Sequence, residues 1–151
     1  MSLPDRARRL VRRVTAQAEL ALLLTGSTVV MFLPRDRHLA IVRWAMAEPD
    51  GHRLSLREAQ VHADRLNRVC ARWPFEVRCL QRSLVLVWLL RRRGLQGAMR
   101  IGIARPADGL IAHAWVEAGG VAIGDTGEAG GLLNALLASA AHRSVRTEAV
   151  P

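Results

Sequence analysis

Lysine and tyrosine are both missing from the 151 residues, and aromatic residues make up only 4%. A chain without tyrosine and with few other rings lacks the interleaved aromatics on which nucleic-acid bases stack. No zinc-finger or RNA-recognition signature is present either, so a nucleic-acid partner is not expected. Cysteine occurs twice, as Cys70 and Cys79, which excludes a disulfide-rich secreted scaffold. Long apolar runs are also scarce. The most apolar stretch near the N-terminus, Leu20 to Leu33, has 14 residues and is interrupted by Thr25, Gly26, Ser27 and Thr28. A span of a bilayer core of about 30 Å needs more than this. The stretch runs into Pro34-Arg35-Asp36-Arg37 rather than a small-residue cleavage site, so neither a membrane span nor a signal peptide is expected. The expected setting is the cytoplasm. Internal repeats and low-complexity tracts are absent.

What is present is a strong positive bias: 22 basic residues, all arginine, against 13 acidic ones, for a net charge of +9. The arginines cluster at Arg6, Arg8, Arg9, Arg12 and Arg13, and again at Arg91, Arg92 and Arg93. Such an excess draws in anions and acidic peptides but says nothing about fold. It reads equally as a coding bias that places arginine where other chains use lysine. Half the residues are hydrophobic and mean hydropathy is +0.11, so the chain folds. Its length suits one domain that buries roughly two-thirds of its unfolded surface.

Residues 4–24 carry Val11, Val14, Ala18, Ala21 and Leu22 at helical spacing, with Gly26 as the expected stop. Val29 to Leu33 is a short piece ending at Pro34. A second helix is expected over 37–47, followed by a Pro49-Asp50-Gly51 turn. Ser55-Leu56-Arg57-Glu58 fits a capping box and opens a third helix with Ala59, Ala63, Leu66 and Cys70 on one stripe. Trp73-Pro74 closes it. From Cys79 a helix apolar on all sides runs to three arginines and a capping Gly94. The period then changes to two. Met99, Ile101 and Ile103 mark one strand, Ile111 to Glu117 a second and Val121 to Asp125 a third, with a Pro106–Gly109 turn between the first two. A last helix is expected over Leu132 to Ala141, then a tail. Helices followed by an antiparallel meander make an α+β domain. The expected organisation is an N-terminal helical segment over 1–54, a core over 55–145 and a tail over 146–151.

Three residues in this pattern suit nucleophilic chemistry. Cys79 stands at the start of its helix, where free backbone N–H groups and the neighbouring Arg78 and Arg82 favour the reactive thiolate. The same N–H groups can stabilise an oxyanion. His113, between Ala112 and Ala114, has room to act as general base and acid, and Asp125 can orient its ring. A three-residue connection, Ala118-Gly119-Gly120, would pair Glu117 with Val121 and His113 with Asp125, on one face. A two-residue connection would put His113 and Asp125 on opposite faces. The register expected is therefore the three-residue one.

The other candidates have plainer readings. Cys70 lies mid-helix on an apolar stripe and reads as a small buried hydrophobe. His38, His52, His62 and His142 read as surface residues. No spacing among cysteines and histidines suits zinc, and no cofactor site is evident. Ser83, one turn after Cys79, reads as a packing or capping residue.

Cys79-Leu80-Gln81-Arg82-Ser83-Leu84, the run to Arg93-Gly94, Ala112-His113-Ala114-Trp115-Val116-Glu117 and Gly124-Asp125 together resemble the leader peptidase of lasso-peptide biosynthesis. That family belongs to the transglutaminase-like, papain-related cysteine hydrolases. The resemblance covers residues 55–126 and is weak over the N-terminal helices. It implies a protease that cuts the leader from a ribosomally made precursor. Cys79 would be nucleophile, His113 base and Asp125 orienter, without a cofactor. It also implies a separate leader-recognition protein and a macrolactam-forming cyclase as partners, since the segment before residue 55 is too short and too poor in strands for a fused recognition domain. No glutamine stands close upstream of Cys79 to donate to an oxyanion. The Trp73 indole N–H is a conceivable substitute, though core packing is its plainer role. An amide transferase using the same triad, and a non-catalytic peptide-binding module of the same fold, are the alternatives.

Overall fold

The computed structural model describes residues 3–104 and 110–124. Four helices come first: α1 (Leu3–Met31), α2 (Arg35–Met46), α3 (Leu56–Cys70) and α4 (Cys79–Arg91). Three strands follow: β1 (Ala98–Ala104), β2 (Ile111–Ala118) and β3 (Val121–Ile123). They form one antiparallel sheet in the order β1-β2-β3. The expected α+β order is thus observed. The turn expected over 106–109, the helix over 132–141 and the tail lie outside the described residues.

Helix α1 differs most from its expectation. It passes through Gly26 and continues to Met31, absorbing the piece expected at Val29 to Leu33. The polar residues that looked like an interruption make bonds within the helix. Thr25 donates to the Ala21 carbonyl at 2.9 Å, and Ser27 and Thr28 both donate to the Leu24 carbonyl, at 2.8 and 3.1 Å. The stop is Pro34, which pushes Leu33 out of the helical region. Extended in this way, Val14–Met31 is 18 residues long and apolar enough, by length and composition, to cross a membrane. The sequence expectation that this region is too short for a span is corrected to that extent. Leu20, Leu24 and Ser27 nevertheless turn into the protein core.

Helix α4 is the centre of that core. Ser83 to Val87, Leu89 and Leu90 are all buried, as expected of a helix apolar around its girth. Its end is a Schellman turn. Gly94 sits at φ +65°, the Leu95 N–H donates to the Leu90 carbonyl at 3.0 Å, and the Gly94 N–H donates to the Arg91 carbonyl at 2.9 Å. The arginines that follow the apolar run are tied to the fold. Arg91 donates to the carbonyls of Trp44, Ala45 and Ala47 at the end of α2, and its guanidinium lies 4.3 Å from the centre of the Trp44 ring. Arg93 pairs with Glu19 of α1 at 2.8 Å.

The expected capping box on α3 is not made. Ser55 is the N-cap residue but makes no side-chain cap bond. The Glu58 carboxylate is instead held by both terminal nitrogens of Arg53, a two-point pairing that outcompetes a single backbone N–H.

The meander is closed by two glycines. Gly119 and Gly120 both have positive φ, +57° and +77°, as a two-residue type I′ hairpin turn requires. The ladder therefore pairs Ala118 with Val121, Glu117 with Ala122 and Val116 with Ile123. This corrects the expected three-residue connection, which placed Glu117 opposite Val121. Strand β3 ends at Ile123, and Gly124 at φ +71° turns the chain out of the ladder. Strand alternation thus stops before Asp125, which lies outside the described residues.

Candidate active site

Cys79 is the first residue of α4, half-buried, with Arg78 as the N-cap residue. An α-helix leaves its first amides without carbonyls of their own. At this start the Gln81 side chain satisfies one of them: its oxygen accepts from the Arg78 N–H at 3.1 Å. The Gln81 amide nitrogen donates to the Thr28 hydroxyl of α1 at 3.3 Å. Gln81 therefore fixes the beginning of α4 against α1. It leaves the amides that follow Arg78 directed along the helix axis past Cys79, where they favour negative charge.

His113 lies in β2 opposite Gly102 and is buried, at 4% exposure. Alternation places it with Trp115 and Glu117 on one face of the sheet, and the His113 and Trp115 rings are near-parallel with centroids 6.2 Å apart. Trp115 donates from its indole to Glu117 at 2.8 Å, and Glu117 in turn accepts from Arg100 at 3.3 Å. The imidazole thus begins a row of side chains fixed in order. Ala114, Val116 and Ala118, on the other face, enter the hydrophobic core.

Two contacts define how the cysteine helix lies along the histidine strand. Gly97 is so tightly flanked that a Cβ there would fall 2.6 Å from Leu90 Cδ1 and 3.6 Å from Val116 Cγ1, so Leu90 and Val116 meet at one level. At a second level the Ser83 hydroxyl donates to the Ala114 carbonyl at 3.0 Å, and Ser83 is buried. Moving from Leu90 to Ser83 in the helix corresponds to moving from Val116 to Ala114 in the strand. Helix and strand therefore run in the same sense. One turn before Ser83 in the helix is Cys79, and one residue before Ala114 in the strand is His113, whose side chain alternation places on the sheet face opposite Ala114. Ser83, expected to pack or cap, links the two elements.

The third expected member, Asp125, cannot be placed from the described residues, but the residue before it is held firmly. The Gly124 N–H donates to Gln60 at 3.2 Å, and its carbonyl accepts from Asn67 at 2.9 Å. Between these two side chains, on the same face of α3, stands Ala63, and a Cβ on Gly124 would come 2.5 Å from the Ala63 Cβ. Sequence reading missed Gln60 and Asn67. Their spacing of seven residues on the buried stripe of α3 was the available signal, since polar groups on a buried face need partners.

The remaining candidates separate from the site. Cys70 packs against the core, and burial pushes its thiol up despite the opposing charge of Arg82. Trp73 is partly buried against the core. His52 and His62 are half-buried rather than surface residues. His52 bridges the Asp50 and Arg91 carbonyls at 2.8 and 3.2 Å. His62 is pushed down, first by burial and then by Arg93 and Arg65. His38 is half-buried as well, and His142 lies outside the described residues. Among the described residues, no group of three or more His, Cys, Asp or Glu side chains could hold a metal ion.

The described residues thus show a buried helix with a cysteine at its start, packed along a strand that bears a buried histidine. A family model described as the transglutaminase-like superfamily matches residues 21–136. The chain belongs to the transglutaminase-like superfamily. No curated protein and no solved structure matches it. The superfamily match takes in α2, α3, α4, the sheet and the end of α1 from residue 21 onward. This superfamily includes cysteine proteases and amide transferases, and its α+β, papain-like fold is the one described above.

Proposed function

We propose that this transglutaminase-like protein is a cysteine protease that removes the leader from a ribosomally synthesised lasso-peptide precursor. Cys79 is the nucleophile, His113 the general base and acid, and Asp125 the group that orients the imidazole. The observation that supports this reading is the bond from the Ser83 hydroxyl, one turn after Cys79, to the carbonyl of Ala114, the residue after His113. The resemblance of these segments to the leader peptidase supplies the substrate.

The chemistry follows from the helix start. The Cys79 thiol gives its proton to His113, and the sulfur attacks the carbonyl of the last leader residue. The negative charge that develops on oxygen is met by the amides at the beginning of α4. The C–N bond then breaks, His113 protonates the departing amine of the core peptide, and the leader stays on Cys79 as a thioester. Water, activated by His113, releases the leader and restores the thiol. Asp125 keeps the ring in the required tautomer and supports the imidazolium. A separate recognition protein presents the leader, and the cyclase takes the freed core. In this reading the protein works in the cytoplasm; Leu20, Leu24 and Ser27 of α1 turn into the core while Val14, Leu22 and Val29 are exposed.

The test mixes the protein, the recognition protein and the precursor encoded beside it, and weighs the products. Free leader and core are expected with wild type and neither with Cys79→Ala. Cleavage that survives Cys79→Ala removes the proposed nucleophile. A leader whose mass shows transfer to an added amine would assign the protein to the transferases.

A further inference from the structure

We propose that Ser83 is a positioning residue, whose hydroxyl sets the reach between the Cys79 sulfur and the His113 ring. The inference rests on the assignment of Cys79 and His113 above, but not on any substrate. Ser83 is one helical turn after Cys79, and residues four apart lie on the same face of a helix. Its acceptor, the Ala114 carbonyl, belongs to the residue that follows His113 in β2. The ladder from β3 ends opposite Val116, two residues further along. In the stretch that bears His113, β2 is thus held to α4 by this side-chain bond beyond the last β3 pair. Below that level the packing is apolar, with Leu90 and Val116 closing over Gly97. Apolar contact is non-directional and permits a small slide of helix along strand. A buried hydrogen bond at 3.0 Å does not, because slippage would leave both the hydroxyl and the carbonyl unsatisfied. The site therefore has a fixed point one turn away from the nucleophile on one element and one residue away from the base on the other.

The test uses the full-length protein and iodoacetamide, with Cys70→Ala as the background so that one thiol reports. Alkylation of Cys79 at neutral pH is expected to slow by about tenfold to a hundredfold in Ser83→Ala, the scale of effect that a shift near 1 Å has on an aligned pair. Ser83→Thr, which retains the hydroxyl, is expected to recover most of the rate. In a His113→Ala background the same Ser83→Ala change is expected to add little, because a residue acting through His113 has nothing left to position. Melting curves on every variant identify the folded fraction, and Ser83→Val, isosteric with Ser83→Thr but without the hydroxyl, supplies the comparison if Ser83→Ala unfolds. Where precursor is cleaved, the loss is expected in kcat with KM little changed. An undiminished alkylation rate in folded Ser83→Ala would overturn the proposal. So would an equal loss in the presence and absence of His113. Failure to cleave any precursor, with the alkylation pattern intact, would remove the leader-peptidase reading and leave the role of Ser83 standing.

Discussion

Replacing Gly124 by alanine is expected to destabilise the fold by an amount that the geometry bounds. Two costs arise. The residue sits at φ +71°, in the left-handed region, where a side chain costs about 1–2 kcal/mol. The new methyl would also fall 2.5 Å from the Ala63 Cβ and 3.5 Å from its Cα. Ala63 is part of α3 and nearly fully buried, so relief requires helix and hairpin to separate. Overpacking of this kind costs about 1–3 kcal/mol. Separation also stretches the bonds from Gln60 and Asn67 to Gly124, so the sum is roughly 2–5 kcal/mol. For a chain of this size that lowers the melting temperature by roughly 5–15 °C. Urea titration and thermal melting by circular dichroism measure it. A second substitution separates the two costs. Ala63→Gly removes the partner methyl, and in the Gly124→Ala background it is expected to recover part of the overpacking. The backbone cost remains, together with about 1 kcal/mol for a glycine inside a helix. A Gly124→Ala protein that melts with wild type would refute the clamp, as would a double variant no better than the sum of its parts.

Four further outcomes are expected. Arg91→Met is expected to lose about 1–3 kcal/mol of stability, because the carbonyls ending α2 lose their donor; urea titration checks it. Glu19 is pulled up by burial, but the hydrogen bond and charge of Arg93, with Arg92 and Arg65, hold its carboxylate below the usual range. Its folded-state value is thus depressed, so its contribution is present above the unfolded value near 4.5 and is lost as pH falls through the folded one. Glu19→Gln should flatten that acid limb by a few tenths to about 1 kcal/mol, given the partly exposed pair, and a limb unchanged by the substitution would contradict the pairing. Peptide mapping after brief alkylation at neutral pH should find Cys79 modified before Cys70, whose thiol burial keeps protonated. Gln81→Leu is expected to slow Cys79 alkylation while Gln81→Glu, which keeps the acceptor for the Arg78 N–H, is expected to slow it less.

How far the residues themselves disclosed this layout depends on the range of the interaction involved. The helix beginning at Cys79, its end at Gly94 and the strand around His113 were legible, because period, capping glycine and alternation act within a few residues. Gly26 misled, since the cost of one helical glycine is small beside the packing of Leu20 and Leu24 before it and of Val30 and Met31 after it against the core. The hairpin register also misled. Two adjacent glycines specify a type I′ turn on local grounds, but the expectation was drawn from the need to place His113 opposite Asp125. The structure holds the chain before Asp125 by another route, through Gln60 and Asn67 of α3, 64 and 57 residues from Gly124 in sequence. A bond between such distant residues leaves no periodic trace. Net charge was similarly incomplete as evidence. Arg53, Arg93 and Arg100 pair with carboxylates of the fold and Arg91 binds backbone carbonyls, so the placement of these arginines serves folding.

The most direct measurement of the central claim is the mass of the protein itself during turnover. Wild type mixed with precursor and recognition protein, quenched in acid within the first turnovers and digested, should yield a Cys79 peptide heavier by the leader acyl group and cleaved by hydroxylamine. Turnover that proceeds at full rate with every peptide containing Cys79 unmodified, and that persists in Cys79→Ala, would contradict it.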